Sequence, residues 1–100
     1  MLKAEDVREV LKQINDPELN YNIVDLGLVY DINVKDEGNV HVLMTLTTPA
    51  CPIGPMVEAE ITENVGLLPG VKEIEVEFTF TPLWNPTLMS EEAREDLGVY

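Results

Sequence analysis

Basic residues are scarce in this chain: Lys and Arg number six among 100 residues, against nineteen Asp and Glu, which leaves a formal net charge of −13. Nucleic acids and anionic membrane surfaces are held by Lys and Arg that neutralise phosphate, so neither partner is expected. Cysteine is nearly absent too, with Cys51 alone. A single thiol makes no internal disulfide and cannot by itself build a structural zinc site, which fits a reducing compartment and a cytoplasmic protein. The amino terminus, Met1-Leu2-Lys3-Ala4-Glu5-Asp6, lacks the apolar stretch of a secretory signal. No apolar run reaches the roughly 18 residues of a membrane span. Repeats, linkers and low-complexity segments are also missing. What is present is 45% hydrophobic content in 100 residues, enough for one core and one domain.

Periodicity divides that domain. Val7, Val10, Leu11 and Ile14 recur at i, i+3, i+4 and i+7, which predicts an amphipathic helix over residues 4–14 that Asn15-Asp16-Pro17 brings to an end. Residues 23–34 read as a long strand, alternating from Leu26 onward, with Gly27 leaving room for another backbone and Asp25 beside it. Asp36-Glu37-Gly38-Asn39 is a turn, and Val40, Val42, Met44 and Leu46 alternate after it, so the two strands form an antiparallel hairpin. Val57, Ile61, Val65 and Leu68 define a second helix, stopped by Pro69-Gly70. Ile74, Val76, Phe78 and Phe80 alternate with Glu73, Glu75, Glu77 and Thr79, the clearest strand of all. Ser90 caps a last helix over residues 91–97, and Gly98 closes it. The order helix, strand, strand, helix, strand, helix is α+β: a mixed three-stranded sheet covered on one side by helices.

Chemistry concentrates in Thr47-Thr48-Pro49-Ala50-Cys51-Pro52-Ile53-Gly54-Pro55-Met56, which joins the second strand to the second helix. Proline at 52 pushes Cys51 out of the α region, and Pro52 or Pro55 can each occupy the first turn of the helix. The thiol is thus expected within about one turn of a helix N-terminus, where free N–H groups and the macrodipole favour a thiolate. A buried structural cysteine is the alternative, and the acidic chain opposes a further negative charge. His41 stands six residues before Thr47 on an extended strand, roughly 20 Å away at about 3.3 Å per residue, so it is no base for Cys51. With no Cys-X-X-Cys pair and no placed base, a thiol hydrolase or oxidoreductase is disfavoured, and no enzymatic turnover is expected. Asp25 can cap a loop or flank a site. Trp84, inside Thr81-Pro82-Leu83-Trp84-Asn85-Pro86, either closes the edge of the core or forms a contact surface.

Asp16-Pro17-Glu18, Asp25-Leu26-Gly27-Leu28-Val29-Tyr30, Thr45-Leu46-Thr47-Thr48-Pro49-Ala50-Cys51-Pro52, and Pro82-Leu83-Trp84 with Met89-Ser90 stand in one order along nearly the whole chain. In that combination the sequence resembles the small iron–sulfur assembly family that includes SufT, PaaD and the eukaryotic cytosolic targeting factor for iron–sulfur proteins. The resemblance implies a fold like that of NifU-type cluster-assembly domains and a role in maturing iron–sulfur proteins. It places the family's reactive cysteine, the candidate ligand of a transient cluster or iron, on Cys51. The acidic motif positions fall on Asp16, Glu18 and Asp25, with Asp25 or Glu18 near the mouth of the cluster site, and contact positions fall on Asp16, Thr48 and Trp84. Leu83 stands where a second proline is common, and Pro55 adds stiffness after the cysteine; both bear on local loop geometry. Implied partners are scaffold or client proteins and a second copy of the chain, since one cysteine falls short of the four ligands a cluster usually takes. The alternatives are a metal-free adaptor and a PaaD-like helper of a multicomponent oxygenase.

Overall fold

The computed structural model describes residues 2–17, 19–46 and 54–98. Helix α1 spans Ala4–Leu11, with the Asp6 carboxylate accepting the Lys3 N–H at 2.9 Å to close its first turn. Val7 and Leu11 are wholly buried. The helix stops three residues short of the expected end because Asn15–Asp16 (β1) is extended and pairs antiparallel with Tyr21–Asn22 (β2). Gln13 and Ile14 tighten onto Val10 and Leu11 as the chain leaves the helix, so Ile14 still reaches the core. This two-stranded ladder has no counterpart in the periodicity.

The long strand expected over residues 23–34 is instead a turn followed by β3, Val29–Val34. Ile23, Val24, Leu26 and Leu28 are all buried, a spacing that a period of two cannot produce. From Asp31 onward the hairpin with β4, Asn39–Met44, is regular: Ile32 faces Val42 and Val34 faces Val40, after an irregularity in register between Val29 and Asp31. Gly38 makes the connection at φ 86°, and a Cβ there would lie 3.0 Å from the Lys72 nitrogen, so only glycine fits.

Helix α2, Gly54–Gly66, buries Val57, Ile61 and Val65, and carries Pro55 in its first turn. It returns the chain to β5, Glu73–Phe78, which pairs with β4 in parallel, with Val40 beside Ile74 and Met44 beside Phe78. The sheet is therefore mixed, in the order β3-β4-β5. Helices α1 and α2 cover one face, where Val40, Val42 and Met44 meet Val7, Leu11 and Ile61. Each such side chain contributes about 1.5–3 kcal/mol by leaving water. The opposite face presents the exposed Asp31, Asn33, Glu73, Glu75 and Glu77, with His41 half-buried and its Nε2 2.9 Å from Glu77 Oε1. The last helix, α3, is Glu91–Leu97; Ser90 Oγ accepts the Ala93 N–H at 3.1 Å, and Gly98 ends it in the left-handed region. None of the helices among the described residues is long and apolar enough to cross a membrane.

Candidate functional site

The turn that replaces the expected strand is closed by Asn22. Its side-chain carbonyl accepts the Asp25 N–H at 2.8 Å, its amide donates to Asp25 Oδ2 at 2.8 Å, and its main-chain carbonyl accepts the Leu26 N–H at 3.1 Å. Asp25 is thus half-buried and held in place by its neighbour three residues back. Gly27, at φ 78°, reverses the chain so that Leu28 N–H can donate to the Ile23 carbonyl.

A carboxy-terminal strap, residues 82–90, lies against this turn. Tyr30 Oη donates to the Pro82 carbonyl at 2.8 Å, the Trp84 indole N–H donates to the Leu26 carbonyl at 2.7 Å, and Ser90 N–H donates to the Asp25 carbonyl at 2.7 Å. Between those ties the Leu88 backbone occupies the room left by the missing Cβ of Gly27. Met89 and Ala93 are buried in the core just beyond. Asp25-Leu26-Gly27-Leu28-Val29-Tyr30 and Pro82-Leu83-Trp84 with Met89-Ser90, far apart in the chain, are therefore one structural unit. Trp84 is half-buried, closing the edge of the core, while Leu83 and Leu88 beside it stay 62% and 39% exposed.

Beyond the strap, β2 is tied to α3: Tyr21 Oη donates to Asp96 Oδ2 at 2.8 Å. That hydrogen bond, with burial and the charges of Asp96, Glu92 and Asp25, pushes the phenol up to about 12, because each opposes a phenolate. Tyr21, Asn22 and Leu88 were invisible as site residues in the sequence. Only the spacing of Asn22 three residues before Asp25, the interval at which Asn side chains cap turns, could have pointed to one of them.

Cys51, Thr48 and Glu18 lie outside the described residues. What brackets the cysteine segment is described. Thr45 N–H donates to the Leu28 carbonyl at 2.8 Å, which fixes the end of β4 to the residue that follows the Asp25–Gly27 turn. A Cβ placed on Gly54, at the start of α2, would lie 3.3 Å from Leu46 Cδ1. The chain thus leaves at Leu46 and returns at Gly54 with those two residues in contact, at the end of the sheet to which the turn and strap are fixed. Asp16 is buried, and its Oδ1 accepts the Leu19 N–H at 3.2 Å in the β1–β2 turn. Among the described residues there is no group of three or more His, Cys, Asp or Glu side chains placed to hold a metal ion.

Residues 4–78 match the family model described as iron–sulfur cluster assembly protein. The chain is 42% identical over 94 residues to an Fe-S protein maturation auxiliary factor of Porphyromonas gingivalis, covering 94% of this chain and 90% of that protein. It is 43% identical over 84 residues to the Fe-S protein maturation auxiliary factor SufT of Staphylococcus aureus, covering 84% and 96%. The crystal structure of a domain of unknown function from Bacillus anthracis superposes with a TM-score of 0.91 at 33% identity, covering 97% of this chain and 92% of that one. With a family model matched over three-quarters of its length and relatives above 40% identity across most of it, the chain belongs to the family of iron–sulfur cluster assembly proteins.

Proposed function

We propose that this protein is an accessory factor in the maturation of iron–sulfur proteins, acting in the cytoplasm on cluster or iron in transit rather than turning over a metabolite. In this reading Cys51 is the thiol that touches the cargo. The observation that supports it is the position of the described residues on either side of the cysteine segment: Leu46 lies beside Gly54, and Thr45 is bonded to Leu28, which follows the turn that the strap covers. A thiolate is a soft ligand suited to iron in a sulfur environment. Clusters usually take four protein ligands, and this chain supplies one cysteine. A site that incomplete suits hand-over, because the scaffold or client retains or gains the remaining ligands and the cargo is never enclosed. Replacing Cys51 with Ala and measuring iron–sulfur enzyme activities in cells tests this directly. The expected result is activity at the level of cells lacking the protein, with the circular dichroism spectrum of the purified variant unchanged. Normal enzyme activities would remove the thiol from the mechanism.

The exposed Leu83 and Leu88, flanking Trp84 on the strap, favour a second reading in which the protein is an adaptor that docks scaffold or client proteins without holding metal. Purified protein that stays colourless after anaerobic reconstitution, yet still binds a scaffold or an apoprotein client, would select this reading over the first. A helper role for a multicomponent oxygenase is the same docking function with a narrower client.

A further inference from the structure

Among the described residues no strand pairs with the outer side of β3 or of β5, and the two edges differ in what they can accept. On β5 the side chains of Glu73, Glu75 and Glu77 project to one face. Pairing β5 with its own copy in antiparallel fashion would set glutamate against glutamate, so this edge is guarded by charge. The edge at β3 is built differently. Lys35 continues the strand by donating its N–H to the Asn39 carbonyl at 2.8 Å. By the alternation of an antiparallel ladder, Asp31, Asn33 and Lys35 then direct their backbone groups toward β4, and Ile32 and Val34 direct theirs outward. Among the described residues neither Asp31 nor Lys35 takes part in an ion pair, and both are exposed.

From this pattern we infer that β3 is a homodimerisation edge, on which a second copy of the chain pairs antiparallel about a two-fold axis through Asn33. That register sets Asp31 of one copy opposite Lys35 of the other, twice by symmetry, with Asn33 facing its own counterpart. It also sets Ile32 opposite Val34, and these are the residues whose outward N–H and C=O groups are aligned to exchange hydrogen bonds. Charge, apolar pairing and hydrogen-bond direction agree in one register, and no like charges are opposed across it. A groove of about 230 Å³ runs alongside β3, bordered by Glu5 and Arg8 of α1 as well as Tyr30 and Ile32. Asp31 lines the same groove, and Arg8 places a cation within it. The product is a continuous six-stranded sheet. This dimer follows from the edge alone and does not depend on the maturation reading.

Sedimentation equilibrium of the full chain up to about 1 mM, in physiological salt, tests it. The wild-type protein is expected to dimerise reversibly. Asp31→Lys and Lys35→Asp, each converting two attractive pairs into two repulsive ones, should each weaken association at least about tenfold. The double variant Asp31→Lys/Lys35→Asp restores both pairs in reverse and should recover most of the loss. Circular dichroism and the emission of Trp84 verify that every variant is folded. A wild-type protein that remains monomeric at the highest concentration would overturn the inference, leaving the edge to a strand of another protein. Single variants that dimerise like the wild type, or a folded double variant that fails to recover, would overturn it equally.

Discussion

Substituting Gly27 with Ala is the sharpest probe of the unit formed by the turn and the strap. The residue sits at φ 78°, where an L side chain costs about 1–2 kcal/mol. Its new Cβ would lie 2.6 Å from the Leu88 carbonyl carbon and 2.8 Å from Leu88 Cβ, so the backbone of the strap has to move. Overpacking of this kind costs about 1–3 kcal/mol. Together the two effects amount to about 2–5 kcal/mol, which lowers the melting temperature of a domain this size by about 10–25 °C. Thermal unfolding followed by circular dichroism measures the loss. Trp84, the one tryptophan, reports its origin, since its indole is bonded to Leu26 next door and its emission should shift to the red as the strap lifts. Gly66 is the control: a Cβ there meets nothing within 4 Å, and Gly66→Ala should leave stability level or raise it by up to about 1 kcal/mol. A fall of under about 3 °C for Gly27→Ala, with Trp84 emission unmoved, would refute the packing of Leu88 against this glycine.

Two further outcomes follow from hydrogen bonds in the same unit. Trp84→Phe keeps an aromatic ring but leaves the Leu26 carbonyl without its donor, so it should cost about 1–3 kcal/mol in chemical denaturation and leave the far-ultraviolet spectrum unchanged. Tyr21 ionises late: its folded pKa is raised from 10.0 to about 12, so the stability it contributes is fully present below pH 10 and is lost as pH rises from 10 to about 12. A tyrosinate absorbance titration should show one late-titrating phenol that disappears in Tyr21→Phe, and that variant should lose the additional steepness of alkaline unfolding; a late phenol persisting in Tyr21→Phe would show that the Asp96 bond is not its cause.

The antiparallel hairpin, the stripe on α2, the mixed sheet and the cap of α3 were legible because each is set by local rules. Alternation at Val40, Val42 and Met44 can bury only one face of a strand, and Val57, Ile61 and Val65 can face only one side of a helix. Ser90 and Gly98 mark helix ends through their own chemistry. The failure at residues 23–28 is equally physical. Leu26 and Leu28 have the spacing of a strand, and nothing local reveals that Asn22 folds back onto Asp25 or that the strap, some sixty residues later, supplies the cover that lets Ile23, Val24, Leu26 and Leu28 all be buried together.

The sequence by itself determined the fold class, the net charge of −13, the lone thiol and the family motifs, because composition, periodicity and motif spacing are properties of the chain. Tertiary structure decided which motifs touch. It joined Asp25–Tyr30 to Pro82–Ser90, buried Asp16 in the β1–β2 turn, turned Trp84 inward onto Leu26, and set β3 at one edge of the sheet. Those outcomes depend on contacts between residues distant in sequence, which arise only when the core closes and brings their backbones within hydrogen-bonding distance.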